Sequence, residues 1–190
     1  FEMTNIRNQD SWVHKNDPLS ATEKAKDLVR MAVAKAALTE PLKESTLSIE
    51  QNALIVGGGV SGLICARTLA RQGYEVFLIE RSEALGGQAL HLYQTWKGED
   101  IQAHVKDLIA DVEKNPLIHL YLSAELGQVE GFVGNFKSQI ETKSGETTTV
   151  AHGVAIIATG AEEYQPTEYL YGQDPRVITH LELDRRFLSN

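Results

Sequence analysis

Apolar positions along the chain follow two rhythms, one of helical spacing and one of short continuous runs. Near the N-terminus Ala25, Leu28, Val29, Ala32 and Ala36 recur every three or four residues, behind a Ser20-Ala-Thr-Glu23 stretch with capping-box spacing. Pro41 stops this run, so the pattern predicts one amphipathic helix from Ala21 to about Leu38. Ala53–Val56 is a short apolar run that predicts a strand, and Gly57–Gly62 a glycine turn. Leu63, Ala66, Leu69 and Ala70 predict a helix from Leu63 to Gln72, with Gly73 placed to cap it in a left-handed conformation. Tyr74–Glu80 is almost continuously apolar, as expected of a parallel strand covered on both faces. Helical spacing returns over Ile101–Glu113 through Val105, Leu108, Ile109 and Val112. Leu117–Leu122 is a third strand candidate. Gln128–Glu141 and Glu146–Val150 predict antiparallel strands with a turn at Lys143-Ser-Gly145, and Val154–Ala158 a further buried strand. Residues 166–190 are mixed and polar, with no evident core.

Strand, glycine turn, helix and strand in this order predict an α/β chain of Rossmann type. We divide it into an N-terminal segment with an amphipathic connector helix (1–50), a dinucleotide-binding domain (51–165) and the start of a truncated region (166–190). Hydrophobic residues make up 42% and charged residues 23% of the 190, the composition of a globular protein. A net charge of −8 disfavours a nucleic-acid partner, and no apolar run reaches the roughly 20 residues that span a bilayer. The single cysteine, Cys65, excludes a disulfide framework and a cysteine-rich metal site, and reads as a small packing residue. The six histidines show no ligand spacing, and most are expected at the surface. The chain opens with Phe1 and carries no signal-peptide pattern, which reads as a piece of a longer cytoplasmic protein.

The candidate chemistry is concentrated in three motifs. Gly57-Gly-Gly59-Val-Ser-Gly62 fits G-x-G-x-x-G in the required place, after a strand and at the start of a helix. There the first glycine permits the turn, the second admits a pyrophosphate, and the third lets helix and strand pack closely. The N–H of Ser61 is a candidate phosphate donor; its hydroxyl lacks the surroundings of a nucleophile. Glu80 ends the second strand, where a carboxylate can accept hydrogen bonds from both ribose hydroxyls of an adenosine and would repel a 2′-phosphate. Glu80-Arg-Ser-Glu-Ala-Leu-Gly-Gly-Gln88 resembles the second motif of the glutathione-reductase-type flavoproteins, in which the basic residue lies near the adenine and the glycine pair near the diphosphate. Val154-Ala-Ile-Ile-Ala-Thr-Gly160 is similar to the A-T-G stretch that ends a strand near the flavin in that superfamily. Together these imply FAD rather than NAD. The expected cofactor contacts are Gly57, Gly59, Val60, Ser61, Gly62, Glu80, Arg81, Gly86, Gly87, Gln88, Leu126, Thr159 and Gly160. No catalytic side chain and no metal ligand is expected in this chain, which also lacks the C-x-x-C pair of ordinary disulfide reductases.

A more specific resemblance spans nearly the whole chain. Phe1-Glu-Met-Thr-Asn-Ile-Arg7, Ser11-Trp-Val-His14, the helical block Ala21–Ala36, Thr159–Gly172 with its Tyr-Gln-Pro-Thr-Glu-Tyr core, and Val177-Ile-Thr-His-Leu-Glu-Leu183 resemble the iron–sulfur flavoprotein of heterodisulfide reductase, its A-type subunit. The resemblance implies a thioredoxin-reductase-like FAD domain inside a larger oxidoreductase protein. There FAD passes electrons between iron–sulfur clusters of that protein and of its partner subunits, with the clusters outside this chain. The fragment alone is expected to be inactive. The family pattern has a cysteine just before Ser-Trp-Val-His, where this chain has Asp10, a poor substitute for a thiolate at a cluster. Two other readings remain open at this point: a related flavoprotein of quinone or sulfur metabolism, and a non-catalytic scaffold that keeps a flavin fold.

Overall fold

The structure is a computed structural model and describes residues 1–189. It divides into two compact units, Phe1–Leu47 and a second that begins at Ser48. In the first, a short π-helical turn (Arg7–Ser11) precedes helix α1 (Pro18–Ala37). The helix starts earlier than its apolar pattern predicts. Asp17, not Ser20, is the cap: its side chain accepts the Ser20 N–H at 3.2 Å, and Pro18 fills the first helical position, where a missing N–H has no consequence. Ala21, Ala25, Leu28 and Ala32 form the half-buried stripe, while Val29 and Ala36 face outward. Asp10 is buried in this unit, and its Oδ1 has no hydrogen-bond partner.

The second unit has three layers. Its middle is a four-stranded parallel sheet of β1 (Ala53–Val56), β2 (Val76–Ile79), β3 (Ile118–Tyr121) and β7 (Val154–Ile157), in the order β3-β2-β1-β7. Helices α2 (Val60–Arg71) and α3 (Ile101–Glu113) cover one face. An antiparallel sheet of β4 (Ala124–Phe132), β5 (Asn135–Thr142) and β6 (Thr147–His152) covers the other. Strand residues point alternately to the two faces, which makes two cores out of one sheet. Ala53, Ile55, Val76 and Leu78 meet Leu63, Ala66, Leu108 and Val112 of the helices. Leu54 and Ile79 meet Ala124, Ile140 and Val150 of the antiparallel layer. The near-continuous apolarity of β1 and β2 follows from this double coverage.

The remaining expectations divide clearly. Helix α3 has the predicted bounds, and Gly73 adopts φ +91° with its N–H on the Ala70 carbonyl, as a left-handed cap does. Helix α2 begins at Val60, so the third motif glycine, Gly62, is already helical. Gln128–Glu141 is not one strand. It breaks at Val133-Gly134 into the β4–β5 hairpin, with Gly131 and Gly134 at positive φ. Strand β7 is parallel to β1 but is not buried: it is a sheet edge, and Val154 and Ile157 remain 49% and 67% exposed. The mixed, polar segment after residue 165 contains a fourth helix, α4 (His180–Leu188), opened by a Thr179/Glu182 capping box and joined to Tyr93 through Phe187.

Candidate nucleotide site

The crossover from β1 to α2 lies at the carboxyl end of the parallel strands, where open α/β sheets bind ligands. Each motif glycine has a distinct steric reason. A Cβ on Gly57, which has φ +114°, would strike the Ala158 carbonyl at the end of β7. A Cβ on Gly62 would strike the Gly57 carbonyl, so this glycine seats the helix against the strand. At Gly59 the backbone is ordinary (φ −74°) and a Cβ would meet nothing within 4 Å, because the residue faces an open groove. Gly59 is also the N-cap of α2, and no side chain caps that end. The N–H groups of Val60, Ser61 and Gly62, in the first helical turn, have no intrahelical acceptor and carry the positive end of the helix dipole.

The loop after β2 folds onto this turn. The Gly86 N–H donates to the Gly58 carbonyl at 2.8 Å, and a Cβ on Gly87 would come within 3.0 Å of the Gly59 Cα. Both glycines have positive φ, 113° and 55°. The two glycine motifs therefore pack backbone on backbone and form one surface. Glu80 lies buried beside it: its Oε2 accepts the Gly58 N–H at 2.6 Å, and its Oε1 accepts the Ser82 N–H at 2.8 Å. Burial by itself would raise this carboxyl's pKa. The N–H groups of Ser82 and Gly58, with the Arg81 charge nearby, outweigh it and hold the pKa below the usual value, so Glu80 is an anion at neutral pH.

These residues line a groove of about 950 Å³, at the upper end of the ~300–1,000 Å³ common for ligand sites. Of the expected contacts, Gly57, Gly59, Val60, Ser61, Glu80, Arg81, Gly86, Gly87, Gln88, Thr159 and Gly160 line it together. Gly62 stands behind the lining, in the helix–strand contact. Leu126 lies in a neighbouring hollow of about 370 Å³ that shares Gly57, Glu80, Arg81 and Thr159. Across the groove mouth Arg81 pairs with Glu162 at 3.3 Å, and the Gln88 side chain donates to the Ala161 carbonyl at 3.2 Å. Cys65 packs on the core and also reaches the groove wall.

The sequence pattern passed over several participants. Gly58 occupies an "x" of the motif, yet a Cβ there would press on Leu85 and Glu80. Ser82 supplies half of the Glu80 hydrogen bonding, and Ala89 to Leu92 form a wall of the groove. Their signal lay only in adjacency to Glu80 and Gly87. One histidine departs from the surface positions expected for most of them. His152 is fully buried, bonded to Ser138 at 2.8 Å and to the Val154 carbonyl at 3.1 Å, and is part of the β5–β6 packing.

The family described as "Pyridine nucleotide-disulphide oxidoreductase" matches residues 37–186. The chain belongs to this family. Within it, the resemblance to the A-type protein of heterodisulfide reductase holds. The chain is 48% identical over 144 residues to an iron-sulfur A-type subunit of the CoB–CoM heterodisulfide reductase of Methanopyrus kandleri, a match covering 75% of this chain and 22% of that protein. It is 46% identical, over the same shares, to the A-type subunit of the H2:CoB-CoM heterodisulfide,ferredoxin reductase of Methanothermobacter thermautotrophicus. The chain thus spans about a fifth of the length of these relatives. Among solved structures, L-proline dehydrogenase of P. horikoshii shares the fold, with a TM-score of 0.51 and 22% identity over 65% of this chain and 25% of that one. Family membership makes this a Rossmann-type chain of a flavin-dependent class of oxidoreductases. No helix among the described residues is long and apolar enough to cross a membrane.

Proposed function

We propose that this chain is the nucleotide-anchoring part of a cytoplasmic electron-transfer flavoprotein of heterodisulfide-reductase-A type, and that its groove holds FAD. The observation that carries the reading is the open face of Gly59. Of the three glycines in the G-x-G-x-x-G turn, this one alone leaves the space of a side chain empty and turned to the groove, beside the free N–H groups of the α2 first turn. A diphosphate suits that space in size and charge. Glu80, already ionised, retains acceptor capacity on both oxygens for the ribose hydroxyls beyond its two backbone bonds. Arg81, Gln88, Thr159 and Gly160 line the same groove around these anchors. Leu126 borders the adenosine end from the neighbouring hollow.

FAD, when bound, supplies the electron-transfer chemistry. The chain's own residues bind and orient the nucleotide. Partners on this reading are the other subunits of a heterodisulfide-reductase-like complex, with iron–sulfur clusters carried outside these residues. The test is reconstitution of the purified chain with FAD, followed by desalting. Retained flavin absorbance that ADP displaces supports the reading. Complete loss of flavin, with no ADP binding by calorimetry, contradicts it.

A further inference from the structure

One wall of the groove is a tight 3-10 turn, Gly87–His91, and all of Gln88 to Leu92 line the cavity. A turn this short has few internal hydrogen bonds to hold its shape. The side chain of Gln102 supplies two from outside. Its Nε2 donates to the Ala89 carbonyl at 2.9 Å and to the Leu92 carbonyl at 2.7 Å. Both partners can only accept, so the amide nitrogen must face them, and its two hydrogens are both used. Gln102 itself stands in the first turn of α3, where Asp100 caps the helix by accepting the Ala103 N–H at 3.0 Å. Behind it, α3 is fixed in the core by Val105, Leu108 and Val112. The clamp is therefore mounted on a rigid element and ends on the groove wall, although Gln102 does not line the groove.

We infer that Gln102 is a positioning residue for the part of the cofactor beyond the diphosphate, acting through Ala89 and Leu92. This rests on the FAD reading above. The ADP portion is assigned to Gly57–Gly62, Glu80 and the Gly86-Gly87 pair, none of which Gln102 hydrogen-bonds; its two bonds end further along the turn, on Ala89 and Leu92. Loosening the Gln88–Leu92 wall should therefore cost affinity for the whole dinucleotide and spare its ADP half. A residue that merely supported folding would weaken both alike.

The experiment is calorimetric titration of FAD and of ADP into the 190-residue chain and three variants. Gln102→Leu removes both donors. Gln102→Glu keeps the shape and replaces the donors with acceptors, so it serves where the leucine variant fails to fold. Gln102→Lys retains nitrogen donors. Two lost hydrogen bonds predict FAD binding weakened about tenfold in the leucine and glutamate variants, ADP binding changed less than about twofold, and the lysine variant recovering most of the loss. ADP binding also reports that each variant is folded. Equal losses for FAD and ADP, no loss at all, or a lysine variant no better than leucine would overturn the inference and leave the FAD reading standing. ADP binding without FAD binding by the unmodified chain would overturn both.

Discussion

At the scale of single residues, one motif contains glycines required for opposite reasons, and substitution separates them. Gly59 has an ordinary backbone and open space beside it, so Gly59→Val should keep the fold at a cost of about 1 kcal/mol for the poorer N-cap of α2. It should also abolish ADP binding, because the branched side chain fills the place of the phosphate. Gly62→Ala should do the reverse in order of cause: its Cβ collides with the Gly57 carbonyl, and overpacking of this kind costs about 1–3 kcal/mol. Paired melting curves and ADP titrations check both; a Gly59→Val chain that still binds ADP would sink the assignment. Asp10 makes a second case. A buried carboxylate oxygen without a partner carries its desolvation cost uncompensated. Asp10→Cys, the residue the family pattern places there, should therefore stabilise the N-terminal unit by about 1–3 kcal/mol. Slower hydrogen exchange over residues 7–37 is the expected signature, and faster exchange would show that Asp10 contributes more than it costs.

At the scale of elements, hydrophobic period was legible where one element makes its own contacts. The stripe Val105, Leu108, Val112 gave the bounds of α3, and Gly73 gave the end of α2. The pattern failed where the partner decides. Gly131, Gly134 and Asn135 carry a turn signal inside residues 128–141, but its place at Val133-Gly134 is fixed by pairing of β4 with β5 and by the Glu50 N–H bonded to the Gly134 carbonyl. Nor does apolarity in β7 say whether it is central or an edge. His152 on β6 is another product of pairing. The Val154 carbonyl can only accept, so Nδ1 carries a proton; in the neutral ring, which burial favours, Nε2 accepts from the Ser138 hydroxyl. Burial pushes the pKa of His152 below its ordinary value, and the Val154 carbonyl offsets this only in part. The unfolded state, with a pKa of about 6.5, then binds the proton more readily. The stability His152 contributes is present above about pH 6.5 and is lost as pH falls from there toward the depressed folded value. Melting temperatures between pH 7 and pH 5 should fall more steeply in the native chain than in His152→Gln. Parallel slopes would contradict the buried, neutral assignment.

At the scale of the molecule, the site was legible in outline and opaque in its supports. Gly57, Gly59, Gly62, Glu80, Gly86 and Gly87 could be read because they lie on one local strand–turn–helix–strand path and the loop that follows it. Gly58, Ser82, Leu85 and Gln102 could not, because their contacts depend on how the loop after β2 folds back across the β1–α2 turn. On the proposed reading the anchoring groups are specific to the adenosine diphosphate half of the ligand. The most direct measurement is therefore a competition. The chain is loaded with FAD, and ADP or FMN is titrated in while flavin release is followed by fluorescence. The account predicts that ADP displaces FAD and that FMN, which has the flavin and one phosphate but no adenosine, does not. Displacement by FMN, with ADP without effect, would contradict it.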